Sequence, residues 1–153
     1  MRLPMFAALL ALLLSACGAS EDAPSPGRVE NVWVRLPAVD GRPAAAYFEI
    51  SGGESGEVLI AIDSSRVENI ELHETIDEDG VMRMAPIMTV EVPPGETIAF
   101  EPGGRHAMLF GISAEITPGT PLPLDFRFEN GRDTRIEAVT IGAGDEAPFE
   151  EEN

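Results

Sequence analysis

Between His73 and Met108 this chain gathers every side chain outside its N-terminal segment that suits a soft metal ion. Both of its histidines, His73 and His106, lie there, together with Met82, Met84, Met88 and Met108. Imidazole and thioether are neutral, polarisable donors that suit copper, above all the cuprous ion. Each residue also has an ordinary reading, since methionine commonly fills gaps in a core and a lone histidine is commonly structural. Alternation helps to separate the two. In VENIELHE (67–74) Ile70 and Leu72 fall on one face, and Asn69, Glu71 and His73 fall on the other. His73 is therefore expected on the polar side of its strand. In RHAMLFGI (105–112) His106 and Met108 share one face while Ala107 and Leu109 take the opposite one. Met82 and Met84 share a face if VMRM is extended. The only cysteine, Cys17, lies far from this cluster, which excludes a blue-copper centre, because that needs a thiolate beside two imidazoles.

The spacing is more specific than the residue types. His73, ten residues, Met84, twenty-one residues and then His106-x-Met108 resembles the ligand motif of the periplasmic copper chaperones that serve the CuA centre of cytochrome c oxidase, the PCu(A)C family. The phrases ELHET (71–75), GVMRM (80–84) and PGGRHAML (102–109) resemble that family too, and the similarity runs from about Val29 to Ile141. The resemblance implies a cupredoxin-like sandwich that carries Cu(I) on His73, Met84, His106 and Met108. It also implies an acceptor, the CuA site of oxidase subunit II, reached directly or with Sco-type thioredoxin-like proteins. Met82 and Met88 stay open between auxiliary ligands and packing. Some relatives add a His- or Met-rich tail, and GAGDEAPFEEEN at the C-terminus has neither residue.

Residues 1–16 read as an export signal: Arg2, then a 10-residue apolar run from Met5 to Leu14, then small residues. A bilayer-spanning helix takes roughly 20 residues. Leu14-Ser15-Ala16-Cys17 looks like a lipobox, with cleavage before Cys17 and lipid on its sulfur, and stable anchoring takes two or more acyl chains. The expected location is the bacterial cell envelope, periplasmic and membrane-anchored. Residues 17–27 are small, polar and Pro-containing and read as a flexible tether. Residues 28–143 form the expected single copper-binding domain, and the acidic 144–153 is expected to be disordered. With a net charge of −17, nucleic acid and anionic headgroups are excluded as partners.

From Arg28 on, short alternating runs are separated by Gly-, Pro- and Asp-rich turns: 29–36, 45–51, 57–64, 67–74, VMRM, TVEVP, TIAF, 105–112, 122–129 and 134–141. Asp77 to Gly80 reads as a turn, and the last two runs as a closing hairpin through an NGR turn. Some nine strands with turns every 8–12 residues predict an all-β, Greek-key β-sandwich. The four ligands are expected to converge, partly exposed, at one end of it. The competing reading is a lipoprotein with a β-sandwich that binds no metal and has a structural or adhesive role, for which His and Met would scatter without register. An enzyme is not expected. Two histidines without a third strong ligand fall short of a catalytic zinc set, and no nucleophile motif is present.

Overall fold

The computed structural model describes residues 24–149. The signal segment, Cys17 and most of the tether fall outside the described residues, as do 150–153. The alternating runs form ten strands: β1 (Arg28–Arg35), β2 (Ala44–Ser51), β3 (Glu57–Asp63), β4 (Val67–Glu78), β5 (Val81–Ile87), β6 (Val90–Val92), β7 (Thr97–Phe100), β8 (Arg105–Ile112), β9 (Leu122–Phe128) and β10 (Asp133–Ile141). No helix occurs among the described residues. Hydrogen-bonded neighbours run β5-β4-β8-β2-β1-β10-β9-β3-β6, with β7 on the remaining part of the β2 edge. The order is that of an all-β sandwich, and β10 joins its two halves. Its C-terminal end pairs in parallel with β1, Trp33 opposite Val139, while its earlier residues pair antiparallel with β9, Ile136 opposite Leu124. A strand that passes from one sheet to the other closes a corner of the sandwich.

Period-2 patterning builds the core. Ala44, Ala46, Phe48 and Ile50 of β2 are buried, as are Leu122, Leu124, Phe126 and Phe128 of β9. Phe48 meets Phe126 edge-on across the sandwich at 5.0 Å, and Phe100 stacks on Phe48 at 4.2 Å. Each such ring adds about 1.5–3 kcal/mol by burial, and well-placed aromatic pairs add about 0.5–1.5 kcal/mol more. In β1 the register shifts between Glu30 and Trp33, where Asn31 takes φ 53°. The extra residue keeps Val29, Val32 and Val34 in the core and aims Trp33 at the opposite face, as a bulge does.

Two features depart from the sequence-based expectations. β4 runs on to Glu78, so the turn is Asp79-Gly80 alone, with φ 57° and 81°. Positive φ at both positions is the two-residue turn whose twist matches that of paired strands, and Asp77 Oδ1 accepts the Gly80 N–H at 2.7 Å. The chain beyond β10 is also held at its start. Arg35 donates to the carbonyls of Gly142 (3.4 Å), Ala143 (3.2 Å) and Asp145 (2.7 Å), and the Gly142 N–H donates to Asp145 Oδ2 at 2.7 Å. Composition does not reveal these contacts, because their acceptors are mostly backbone carbonyls.

Glu57 ties the N-terminal approach to the sandwich. Its side chain is 4% exposed and accepts from Arg132 Nη2 (2.9 Å), Asn130 Nδ2 (2.9 Å) and the Gly27 N–H (3.2 Å). These contacts join β3, the β9–β10 turn and the end of the expected tether. Removing one partner of a buried ion pair strands the other, although Arg132 retains 30% exposure, which lowers the cost. Glu57→Ala is expected to lower the unfolding free energy by about 2–3 kcal/mol, read as a fall in the urea midpoint at constant slope. A loss under about 0.5 kcal/mol would place this pair with ordinary surface ion pairs.

Candidate metal centre

The four candidate ligands lie on three adjacent strands, β5, β4 and β8. The β4–β8 register sets His73 directly opposite His106 and Glu71 opposite Met108. The β4–β5 register sets Thr75 opposite Met84. Paired residues share a face, and Leu72 and Ala107, next in line, are buried in the core. His73, Met84, His106 and Met108 therefore all project from the outer face of this sheet. Met84 and Met108 are diagonal neighbours of His73, at spacings that long side chains span. The cluster sits on a strand face next to the β7–β8 turn, and each ligand belongs to a strand and none to a connecting loop.

The two imidazoles stack with centroids 6.0 Å apart and planes inclined by 19°. His106 is 8% exposed and the His73 side chain 13%, whereas Met84 is 62% exposed. His106 Nδ1 lies 3.1 Å from the Gly104 carbonyl, a contact that only an Nδ1–H donor can make. That carbonyl also accepts the Thr75 N–H at 3.2 Å, and Gly103 beside it takes φ 85° in the turn. The Gly103-Gly104 pair thus contributes a turn and an acceptor for one ligand ring. His73 Nδ1 is buried without any hydrogen-bond partner. A buried, unpaired ring nitrogen is costly in a folded protein and calls for an explanation. Among the described residues no three of His, Cys, Asp and Glu gather as a metal-binding group, so the donor set here is imidazole and thioether.

Met84, His106 and Met108 line one pocket with Tyr47, Thr75 and Gly103. Tyr47 comes from β2, whose Ala45 pairs with Met108. Burial pushes the Tyr47 phenol above its usual range, opposed in part by the Arg35 guanidinium, so this wall stays neutral. Tyr47 also packs on Trp33 at 4.5 Å. Sequence reading missed Tyr47, Thr75 and the Gly104 carbonyl. Alternation in AAYFEI already puts Tyr47 opposite the core face, but nothing local says that β2 lies beside β8.

Met82 and Met88 are not core packing, since they are 60% and 83% exposed. Met82 lies opposite Asp77, one same-face step beyond Met84 toward the hairpin tip. Met88 follows the end of β5 and borders a different pocket, with Ile60, Ile70 and Pro86. The structure brings Met82 to the edge of the cluster and leaves Met88 apart from it.

Over residues 28–141 the chain matches the family described as "Putative lipoprotein LpqE-like". The protein named "Putative lipoprotein Lxx21020" from Leifsonia xyli subsp. xyli is 29% identical over 133 residues, 82% of this chain and 79% of that one. Among solved structures, the copper-bound PCuAC domain from PmoF2 is similar with a TM-score of 0.63 at 21% identity, over 78% of this chain and 96% of the domain. CuI-DR1885 from Deinococcus radiodurans is similar with a TM-score of 0.55 at 18% identity, over 82% of this chain and 83% of that protein. At such identities the likeness establishes the fold, which is the cupredoxin-like sandwich expected from the ligand motif. The family match runs from the start of β1 to the end of β10, and on that ground this chain belongs to the LpqE-like family, built on the fold of PCuAC domains.

Proposed function

We propose that this protein is a copper chaperone of the cell envelope that carries Cu(I) on His73, Met84, His106 and Met108. The observation that carries the reading is the cross-strand array itself. Two stacked imidazoles are flanked diagonally by two thioethers, and one buried ring nitrogen has no partner. The copper-bound state of the PmoF2 domain and the Cu(I) state of DR1885 support copper as the cargo. Neutral donors hold Cu(I) without adding charge, and thioethers are weaker ligands than thiolates, so passage to a thiolate-containing acceptor runs downhill. The acceptor we infer is the CuA site of cytochrome c oxidase subunit II, reached directly or through Sco-type proteins. The role is that of a carrier and not of an enzyme. Met82 is a candidate auxiliary donor at the cluster edge.

Anaerobic titration of the domain against a competing Cu(I) chelator tests the site. Met84→Leu and Met108→Leu are expected to weaken Cu(I) binding by about tenfold or more, which is 1.4 kcal/mol, and to spare the fold because Leu and Met have similar volumes. The double substitution His73→Ala, His106→Ala should abolish most binding. Protons compete for imidazole lone pairs and not for thioethers, so wild-type affinity should fall as pH falls, and this dependence should vanish in the double variant. Preference for Zn(II) over Cu(I), or full binding without both histidines, would overturn the proposal.

We also propose that Cys17 is lipidated and anchors the domain to a membrane, in line with the lipoprotein descriptions of the family and of the Leifsonia relative. Cys17→Ser is expected to move the protein out of the membrane fraction of the envelope while leaving Cu(I) binding by the domain unchanged. Unaltered membrane retention of a normally cleaved variant would exclude the anchor.

A further inference from the structure

The two histidines of the cluster differ in which ring nitrogen is left free. His106 holds its Nδ1 against the Gly104 carbonyl at 3.1 Å, which leaves Nε2 with the lone pair. His73 is arranged the other way. Its Nε2 faces Glu71 Oε2 at 3.7 Å, and its Nδ1 is buried and unpartnered. The other Glu71 oxygen accepts from Asn69 Nδ2 at 2.9 Å. We propose that His73 ligates through Nδ1 and His106 through Nε2, and that Glu71 is the positioning residue that fixes the first of these choices.

The argument is one of tautomers. A neutral imidazole carries one N–H and one lone pair. With the proton on Nδ1, His73 would bury a donor that has nothing to donate to, and would turn the Nε2 lone pair toward a carboxylate. With the proton on Nε2, the donor faces the carboxylate, and only a lone pair is left inside. At 3.7 Å the Glu71 contact is electrostatic, longer than a hydrogen bond, but its sign is sufficient to select the tautomer. Metal-bound imidazoles usually offer their second nitrogen to a carboxylate or a backbone carbonyl, which sets ring orientation and basicity. Glu71 and Gly104 supply one of each. The inference rests on the copper reading for its ligand roles, whereas the tautomers are a property of the metal-free protein.

Two-bond proton–nitrogen correlation NMR on the 15N-labelled domain reads the tautomers directly. In the metal-free protein the expected pattern is Nε2–H for His73 and Nδ1–H for His106. Adding diamagnetic Cu(I) should shift His73 Nδ1 and His106 Nε2 while both N–H groups persist. Glu71→Leu is expected to mix the His73 tautomers and weaken Cu(I) binding about tenfold. Glu71→Gln, whose amide oxygen still accepts, should retain both the tautomer and the affinity. An Nδ1–H form of His73 in the wild type, or a Cu(I) shift at its Nε2, would overturn the assignment. An unchanged tautomer and affinity in folded Glu71→Leu, or their loss in Glu71→Gln, would remove Glu71 from the role. If Cu(I) fails to bind at all, the chaperone reading fails, and the metal-free spectrum still decides the tautomers.

Discussion

The antiparallel register that sets His73 opposite His106 also sets Leu72 opposite Ala107 and Ile70 opposite Leu109. Core and candidate site are thus two faces of one pairing. A one-residue slip turns over the strand that moves, putting Leu72 toward solvent and His73 inward if β4 slips, or Leu109 outward and His106 inward if β8 slips. Either leucine represents about 1.5–3 kcal/mol of burial, a large share of the roughly 5–15 kcal/mol that holds a domain folded. The core therefore enforces the geometry of the outer face with no need for contacts among the ligands themselves. A cluster built on packed strands can stay arranged while empty, which a loop-borne cluster achieves less readily.

Exposure across the outer face is graded. His106 and His73 are nearly covered, Met108 is half-buried, and Met84 on the edge strand β5 is open. His73 Nδ1 is buried within this face, and the open Met84 thioether gives a partner access from the β5 side. The exposed apolar residues Val81, Met82 and Met84 all lie on that strand. Edge strands invite pairing with other chains and are commonly blunted by proline or charge. β5 carries Pro86 as well as Arg83, which pairs with Glu78 at 3.0 Å.

Much of this was legible from alternation. The bounds of β8, the shared face of His106 and Met108, and the placement of His73 opposite Leu72 follow from a period of two, which is local information. Spacing carried the family resemblance, and with it the sandwich. What alternation does not contain is adjacency. Nothing local indicates that β8 lies between β4 and β2, that β1 and β10 run parallel, or that Tyr47 reaches the pocket from another part of the chain. Alternation leaves Met82 and Met88 open between ligand and packing for a related reason. A methionine's burial depends on whether another layer covers its face, and β5 has none over it. The clasp by Arg35 escaped because backbone carbonyls, which leave no mark on composition, are its acceptors.

That clasp also explains how one outer face serves two ends. On β1 and β2 the face is aromatic, with Trp33 under the Arg35 guanidinium at 5.2 Å and Tyr47 against its ring. Ala147 and Phe149 border a pocket there with Asn31, Trp33 and Pro102. On β8, β4 and β5 the face carries the histidines and methionines, and neither Ala147 nor Phe149 borders their pocket. Arg35 hydrogen-bonds the chain as it leaves β10, and so sends it along the aromatic half. The same cation lowers the otherwise raised ionisation range of Tyr47. Tyr47 stands at the boundary, with its ring on Trp33 and its edge in the pocket of Met84, His106 and Met108. Tyr47 thus links the aromatic half to the wall of the open half, and among the described residues of the tail Ala147 and Phe149 border the aromatic half and not the candidate site.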